Sequence, residues 1–257
     1  MKVINKVLSN NFEELELYVL GDLHIEDKLC DRKQFAKWIN EVKAQANRYV
    51  ILNGDLIDNA TKSSVGDTYE ATLTPGEALD LLTELLEPIK DRILVISEGN
   101  HENRTYRNDG IRLMELVADR LGVRDCYAPS ASCLFVSFGK NKGRGNRQTV
   151  YSIYSKHGSG GGKAIGGKAN ALLAMSETID ADIYIHNHTH VPISTKNNFF
   201  RSDYRNRQVT EVKHTFLNGN SFLKFGGYGE AMGFRPSSVD YPKLVLNGYE
   251  KDVRVVL

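Results

Sequence analysis

The stretch Leu15-Glu16-Leu17-Tyr18-Val19-Leu20-Gly21-Asp22-Leu23-His24 decides how the fold is read. Its apolar residues continue through Tyr18-Val19-Leu20 instead of alternating strictly, as in a strand buried on both faces. The run stops at Gly21-Asp22, and an acid and an imidazole follow within three residues. Three more apolar runs end the same way. Tyr49-Val50-Ile51-Leu52 stops at Asn53-Gly54-Asp55, Ile93-Leu94-Val95-Ile96 at Glu98-Gly99-Asn100, and Ile183-Tyr184-Ile185 at His186-Asn187-His188. Between them, Phe35/Trp38/Ile39/Val42, Leu79/Leu82/Leu85/Leu86 and Ile111/Met114/Val117/Leu121 are spaced for single helix faces. Strand–helix alternation predicts an α/β fold with a partly parallel sheet.

The second half turns toward β, with strand-like runs at 133–138, 149–154, 209–216, 244–246 and 253–257. Residues 140–147 (KNKGRGNR) read as a hairpin tip and 201–207 (RSDYRNR) as an exposed loop. The Thr- and Ser-rich segment 59–77 reads as the largest irregular stretch, either a lid or a surface loop. No internal repeat or linker composition divides the chain, so residues 1–257 are expected to form one domain. A net charge of +1 gives no global pull toward nucleic acid or membrane. Cys30, Cys126 and Cys133 have no C-x-x-C spacing and fit a reducing compartment. With no signal-peptide pattern at the N-terminus and no apolar run of membrane-spanning length, the expectation is a cytoplasmic protein.

Each apolar run delivers metal-ligand chemistry at its end: Asp22 and His24, Asp55, Asn100, then His188 and His190. The strand ending at Lys156 adds His157. In a parallel sheet the carboxyl ends of strands share one edge, so these distant segments are expected to converge. Imidazole nitrogens mixed with carboxylate oxygens suit manganese, iron, nickel or zinc better than magnesium or calcium. The set is too large for one catalytic ion with an open position, and two ions sharing a carboxylate fit it better.

Taken in order, D-L-H (22–24), G-D-L-I-D (54–58), G-N-H-E (99–102), H-G (157–158) and H-T-H (188–190) resemble the calcineurin-like metallophosphoesterases over residues 15–221. The Asn218-Gly219-Asn220-Ser221 turn is also similar to the family's turn after its last histidine pair. The resemblance implies a four-layer αββα sandwich and two divalent transition-metal ions, manganese foremost. It implies that Asp22, His24 and His190 hold one ion, that Asn100, His157 and His188 hold the other, and that Asp55 bridges them. His101 would contact a phosphate oxygen or protonate the leaving group, and Asp58 and Glu102 would orient ligands from behind. Two departures stand out. Asn187 occupies a position where the family usually has glycine, and asparagine tolerates left-handed backbone well. Asn59-Ala60 replaces the Arg-Gly of the protein-phosphatase branch, which argues against a Ser/Thr protein phosphatase.

The stretch from His157 to Asn170, HGSGGGKAIGGKAN, comes close to the phosphate-binding pattern G-x-x-x-x-G-K-[ST]. It fails because Ala169 stands where the Mg²⁺-binding hydroxyl belongs. It reads instead as a glycine-rich exit from a metal ligand into a helix starting near Asn170, with Lys163 and Lys168 as candidate substrate-binding cations. This wording also resembles phage-encoded members of the family. His186 and His214 read as structural, Cys126 and Cys133 as packing residues, and 140–147 and 201–207 as solvated turns or phosphate-backbone contacts. The expected activity is hydrolysis of a phosphate ester, preferentially a phosphodiester of nucleotide or nucleic-acid type. The alternatives are a phosphomonoesterase or protein phosphatase on the same site, a non-catalytic metal-binding scaffold, and an NTPase.

Overall fold

The strand carrying the opening stretch is apolar on both faces because a different layer packs on each. Leu15, Leu17 and Val19 point into a core shared with a second sheet, while Tyr18 and Leu20 point at helices. The computed structural model describes residues 1–60, 71–145, 147–160, 162–231, 233, 235–236 and 241–256. In chain order its strands are β1 (Lys2–Val7), β2 (Glu14–Leu20), β3 (Arg48–Asn53), β4 (Ile93–Ser97), β5 (Tyr127–Ala128), β6 (Ala131–Phe138), β7 (Thr149–Lys156), β8 (Ile183–His186), β9 (Ile193–Asp203), β10 (Gln208–Asn218), β11 (Lys243–Asn247) and β12 (Val253–Val256). The α-helices are α1 (Arg32–Ala44), α2 (Pro75–Leu86), α3 (Glu102–Asp109), α4 (Leu113–Arg120), α5 (Ile165–Leu173) and the short α6 (Gly227–Ala231).

The strands form two six-stranded sheets, ordered β12-β11-β2-β3-β4-β5 and β1-β6-β7-β8-β10-β9. Their facing sides interdigitate, with Leu17, Val19, Ile51 and Val95 meeting Leu134, Val136, Ile153 and Ile185. Helices α1, α2 and α4 cover the outside of the first sheet through Phe35, Trp38, Leu82 and Val117. Helix α5 covers part of the second through Leu172, against Tyr184 and Phe216. The result is the four-layer αββα sandwich that the resemblance implies. β2, β3 and β4 run parallel, as do β7 and β8.

Several expectations are corrected. The ligand-bearing strands belong to two sheets, so the convergence spans the gap of the sandwich and not one sheet edge. Helix α5 starts at Ile165, not near Asn170, so Gly166 and Gly167 lie in its first turn. Ile111 is 47% exposed, because Gly110 (φ 74°) ends α3 and leaves residues 111–112 as a connector before α4. Residues 201–203 extend β9, so only 204–207 form the loop. Helix α2 begins at Pro75, where Thr74 and Glu77 form a capping box. The middle of the proposed lid, residues 61–70, lies outside the described residues.

Candidate metal centre

Every candidate ligand follows the carboxyl end of a strand, and five of them sit in a backbone bent sharply enough to turn side chains inward. Asp22 (φ 53°), His24 (48°), Asp55 (51°), His188 (71°) and His190 (54°) all occupy the left-handed region. Each such residue costs about 1–3 kcal/mol and persists only where its surroundings hold it there. Those surroundings are visible. The Asp22 amide donates to the Gly54 carbonyl at 3.0 Å and the His24 amide to the Asp55 carbonyl at 3.1 Å, lacing the two loops together. The His188 amide donates to Asp22 Oδ2 at 2.9 Å, joining the loops of the two sheets.

The donor atoms gather in three sets among the described residues, one of which, His24, Asp58 and His101, shares His24 with another. In Asp22, His24 and His190 they lie within 4.8 Å of one another, and so do those of Asp55, His157 and His188. The sets adjoin: His157 Nε2 is 3.0 Å from Asp55 Oδ2 and 3.9 Å from Asp22 Oδ1, and His190 Nε2 is 3.2 Å from Asp22 Oδ1. Asn100 lies in the turn between β4 and α3, exposed, with no side-chain hydrogen bond among the described residues. Both ring nitrogens of His24 and Nε2 of His157 are buried without a hydrogen-bond partner, although Asp58 Oδ1 and Asp55 Oδ2 stand 3.3 and 3.0 Å away outside bonding geometry. Buried polar atoms are rarely left orphaned, and a divalent cation satisfies imidazole nitrogens and carboxylates that face each other in this way. The residues therefore fit metal ions.

The charges answer one another. Burial is the strongest influence on Asp22 and pushes its carboxyl up, but His190 and His157 together hold it at about 2. Burial depresses His157, yet the Asp55 and Asp22 carboxylates lift it to about 10. His101 is lifted to about 9 against the same burial by Asp55 and Asp58. His24 goes the other way, because burial outweighs the pull of Asp58. A wholly buried group of opposed charges is stable only while each charge keeps a partner.

Behind the ligands lie groups that set their positions. Asp58 Oδ1 reaches His101 Nδ1 at 2.8 Å, and the Asp58 carbonyl reaches the same nitrogen at 2.9 Å. Glu102 works on the backbone. Its wholly buried carboxylate accepts the amides of Asp55, Leu56, Ile57 and Gly99 at 2.6–3.1 Å, fixing the loop that presents Asp55. Burial and the Asp55 charge push the Glu102 carboxyl up to about 7. His157 Nδ1 donates to the Asn53 carbonyl at 2.7 Å, which selects the tautomer with Nε2 free to ligate.

Sequence reasoning missed Arg104, Asn53 and the role of Asn187. Arg104 Nη2 lies 3.3 Å from His101 Nε2, and its Nη1 donates to the Asp58 carbonyl at 3.1 Å. Its position one turn after His101 in G-N-H-E-N-R is the signal that would have found it. Asn187 is not left-handed, so the reason first offered for tolerating it does not apply. Its side chain fills the space left by Gly21 and Gly219, donates to Asp22 Oδ2 at 3.3 Å and accepts from Asn53 at 2.8 Å. His186 packs over Gly158 and bonds Asn218 Oδ1 at 2.7 Å. Lys168 is buried, and its Nζ donates to the Thr189 carbonyl at 2.8 Å, between His188 and His190. Lys163 is exposed.

Similar solved structures include a Vps29 variant from Entamoeba histolytica, 14% identical, covering 94% of this chain and 90% of that one with a TM-score of 0.43. A protein from Streptococcus pneumoniae TIGR4 described as a predicted phosphoesterase is 15% identical, covering 95% and 89% with a TM-score of 0.38. A metallophosphoesterase from Sphaerobacter thermophilus is 11% identical, covering 91% and 84% with a TM-score of 0.37. No curated protein matches the chain. The family model for calcineurin-like phosphoesterases matches residues 15–192, a span that takes in every candidate ligand from Asp22 to His190. The chain belongs to that family of metal-dependent hydrolases of phosphate esters.

Proposed function

We propose that this protein is a phosphodiesterase whose centre takes two divalent ions, manganese foremost, and acts on a substrate of nucleotide or nucleic-acid type. The observation that carries the reading is the pair of adjoining donor sets, Asp22/His24/His190 and Asp55/His157/His188. In this reading Asn100, in the turn after β4, would complete the second set, and Asp55 would serve both ions. Divalent ions bound there supply Lewis acidity toward a phosphoryl oxygen and an activated water.

The chain's own residues perform the remaining work. With Nδ1 held by Asp58, His101 presents Nε2 to substrate and carries the proton delivered to the leaving oxygen. Arg104, 3.3 Å from that nitrogen, places a guanidinium where a phosphate oxygen arrives. Glu102 and Asn187 keep the Asp55 and Asp22 carboxylates aimed, so little reorganisation is needed during the reaction. The preference for a diester rests on His24 and His101 being present together and on Asn59 replacing the arginine after Asp58. Arg104 is the feature that favours a monoester, so the two esters form the discriminating pair.

The test is Mn²⁺-dependent hydrolysis of bis(p-nitrophenyl) phosphate against p-nitrophenyl phosphate, in wild type, Asp55→Asn and His101→Ala. Faster diester turnover, abolished in the first variant and reduced in the second, is expected. Preference for the monoester would overturn the diester assignment. Turnover indifferent to Asp55→Asn would overturn the metal centre itself.

A further inference from the structure

The second sheet ends in a long two-stranded ribbon. β10 pairs with β8 only over residues 215–218, so residues 208–214 pair with β9 alone and overhang the sheet by about 23 Å. A free two-stranded ribbon is marginal in water, but the base of this one is anchored. Arg201 pairs with Asp180, Phe199 stacks on the buried His214 at 4.4 Å, and Lys196 donates to the Val253 carbonyl. Its tip is also ordered, because Asp203 accepts the amides of Arg205 and Asn206 at 3.0 Å each.

What the ribbon displays is unusual for a solvated hairpin. Tyr204 is 91% exposed, Phe200 79% and Val209 66%. Arg205, Arg207 and Lys213 make no side-chain hydrogen bond or ion pair among the described residues, and the acids nearby are occupied: Asp203 in the turn, Glu211 with Asn198. A second basic tip projects from the same end of the sheet. β7 runs parallel to β8, so the β6–β7 hairpin, with Lys140 and Arg147 exposed, points the same way, away from the metal centre. A chain with nearly balanced charge has thus gathered free cations and aromatic side chains along one edge.

We infer that this ribbon is an arm that holds the phosphate backbone of duplex nucleic acid. A two-stranded ribbon fits the major groove, and guanidinium and ammonium groups without internal partners are those free to replace counterions on phosphates. The tip lies about 33 Å along the ribbon from Asn218, which bonds Thr189 between the candidate ligands His188 and His190, close to one helical turn of duplex. The arm therefore holds the polymer while the centre acts about one turn away. This deepens the phosphodiesterase reading by naming its substrate class.

The experiment is fluorescence anisotropy with a labelled DNA duplex of about three turns, titrated across salt with Mn²⁺ withheld. Wild type is compared with the combined variant Arg205→Ser, Arg207→Asn, Lys213→Ser. The variant is expected to show a log–log salt slope shallower by about 2.7 and binding weaker by about 500-fold near 0.1 M salt. Its hydrolysis of bis(p-nitrophenyl) phosphate should be unchanged. Absence of duplex binding by wild type, or equal binding by the variant, would overturn the inference. So would a variant that shifts the sedimenting species to a smaller one while duplex affinity stays intact, since the arm would then hold a second protein copy. Failure of the diester assay in wild type would sink the phosphodiesterase reading and leave the anisotropy result to stand alone.

Discussion

Gly219→Ala should damage the metal centre without touching a ligand. The added Cβ would stand 2.3 Å from Asn187 Nδ2 and 3.0 Å from its Cγ. Asn187 is wholly buried and tied to Asp22 and Asn53, so it cannot swing clear. Gly219 is not left-handed, so the substitution tests space alone. Overpacking of this kind costs about 1–3 kcal/mol, and losing the hydrogen bond to the Asp22 carboxylate adds about 1.5–3 kcal/mol. The melting temperature should fall by roughly 5–11 °C for a chain of this length, and the Mn²⁺ needed for half-maximal activity should rise about 10- to 100-fold. Thermal unfolding and metal titration read the two effects. Asn187→Gly removes the obstacle, so combining the two changes should cost no more than Asn187→Gly alone, a coupling equal to the whole cost of Gly219→Ala, about 2.5–6 kcal/mol. Gly166→Ala is the contrast: nothing lies within 4 Å of its added Cβ, it sits in the first turn of α5, and it should stabilise by about 0.5–1 kcal/mol. A Gly219→Ala protein that melts and binds metal like wild type would refute the account of Asn187 as the brace of Asp22.

Two further outcomes separate positioning from substrate contact. Lys168→Met keeps the stem but removes the Nζ bond to the Thr189 carbonyl, so metal affinity should weaken while KM at saturating Mn²⁺ stays unchanged; a raised KM with normal metal affinity would return Lys168 to the role of phosphate grip. Arg104→Ala should lower kcat/KM about 10- to 100-fold with metal content unchanged, and metal loss in that variant would show that Arg104 braces the Asp58 loop instead of meeting substrate.

The sequence carried the candidate site's chemistry further than its geometry, for a physical reason. Ligands such as Asp22, His24, His157 and His190 stand next to strand ends, and a strand buried on both faces leaves an unmistakable apolar run. The ligand positions were therefore readable, but one sheet edge was the wrong frame. Period-2 patterning does not say which sheet a strand joins, and β7 and β8 joined the other one. Helix α3 was missed because ENRTYRND has no apolar face; it buries only Glu102, and buries it for its carboxylate. The braces were harder still. Asn187 could be seen to replace glycine, but its function depends on Gly21 and Gly219, residues 166 positions back and 32 ahead, each leaving room for one amide. No local pattern encodes such a cradle. Lys168 was misread for a related reason: a lysine in a glycine-rich stretch looks like a phosphate grip until the helix is seen to begin at Ile165, which turns it inward to Thr189. The residues that bind are thus announced by local sequence, whereas those that aim the binders are defined by what lies opposite them in the fold. It follows that changes at Gly219, Asn187 and Lys168 should weaken metal affinity although none of the three is a ligand.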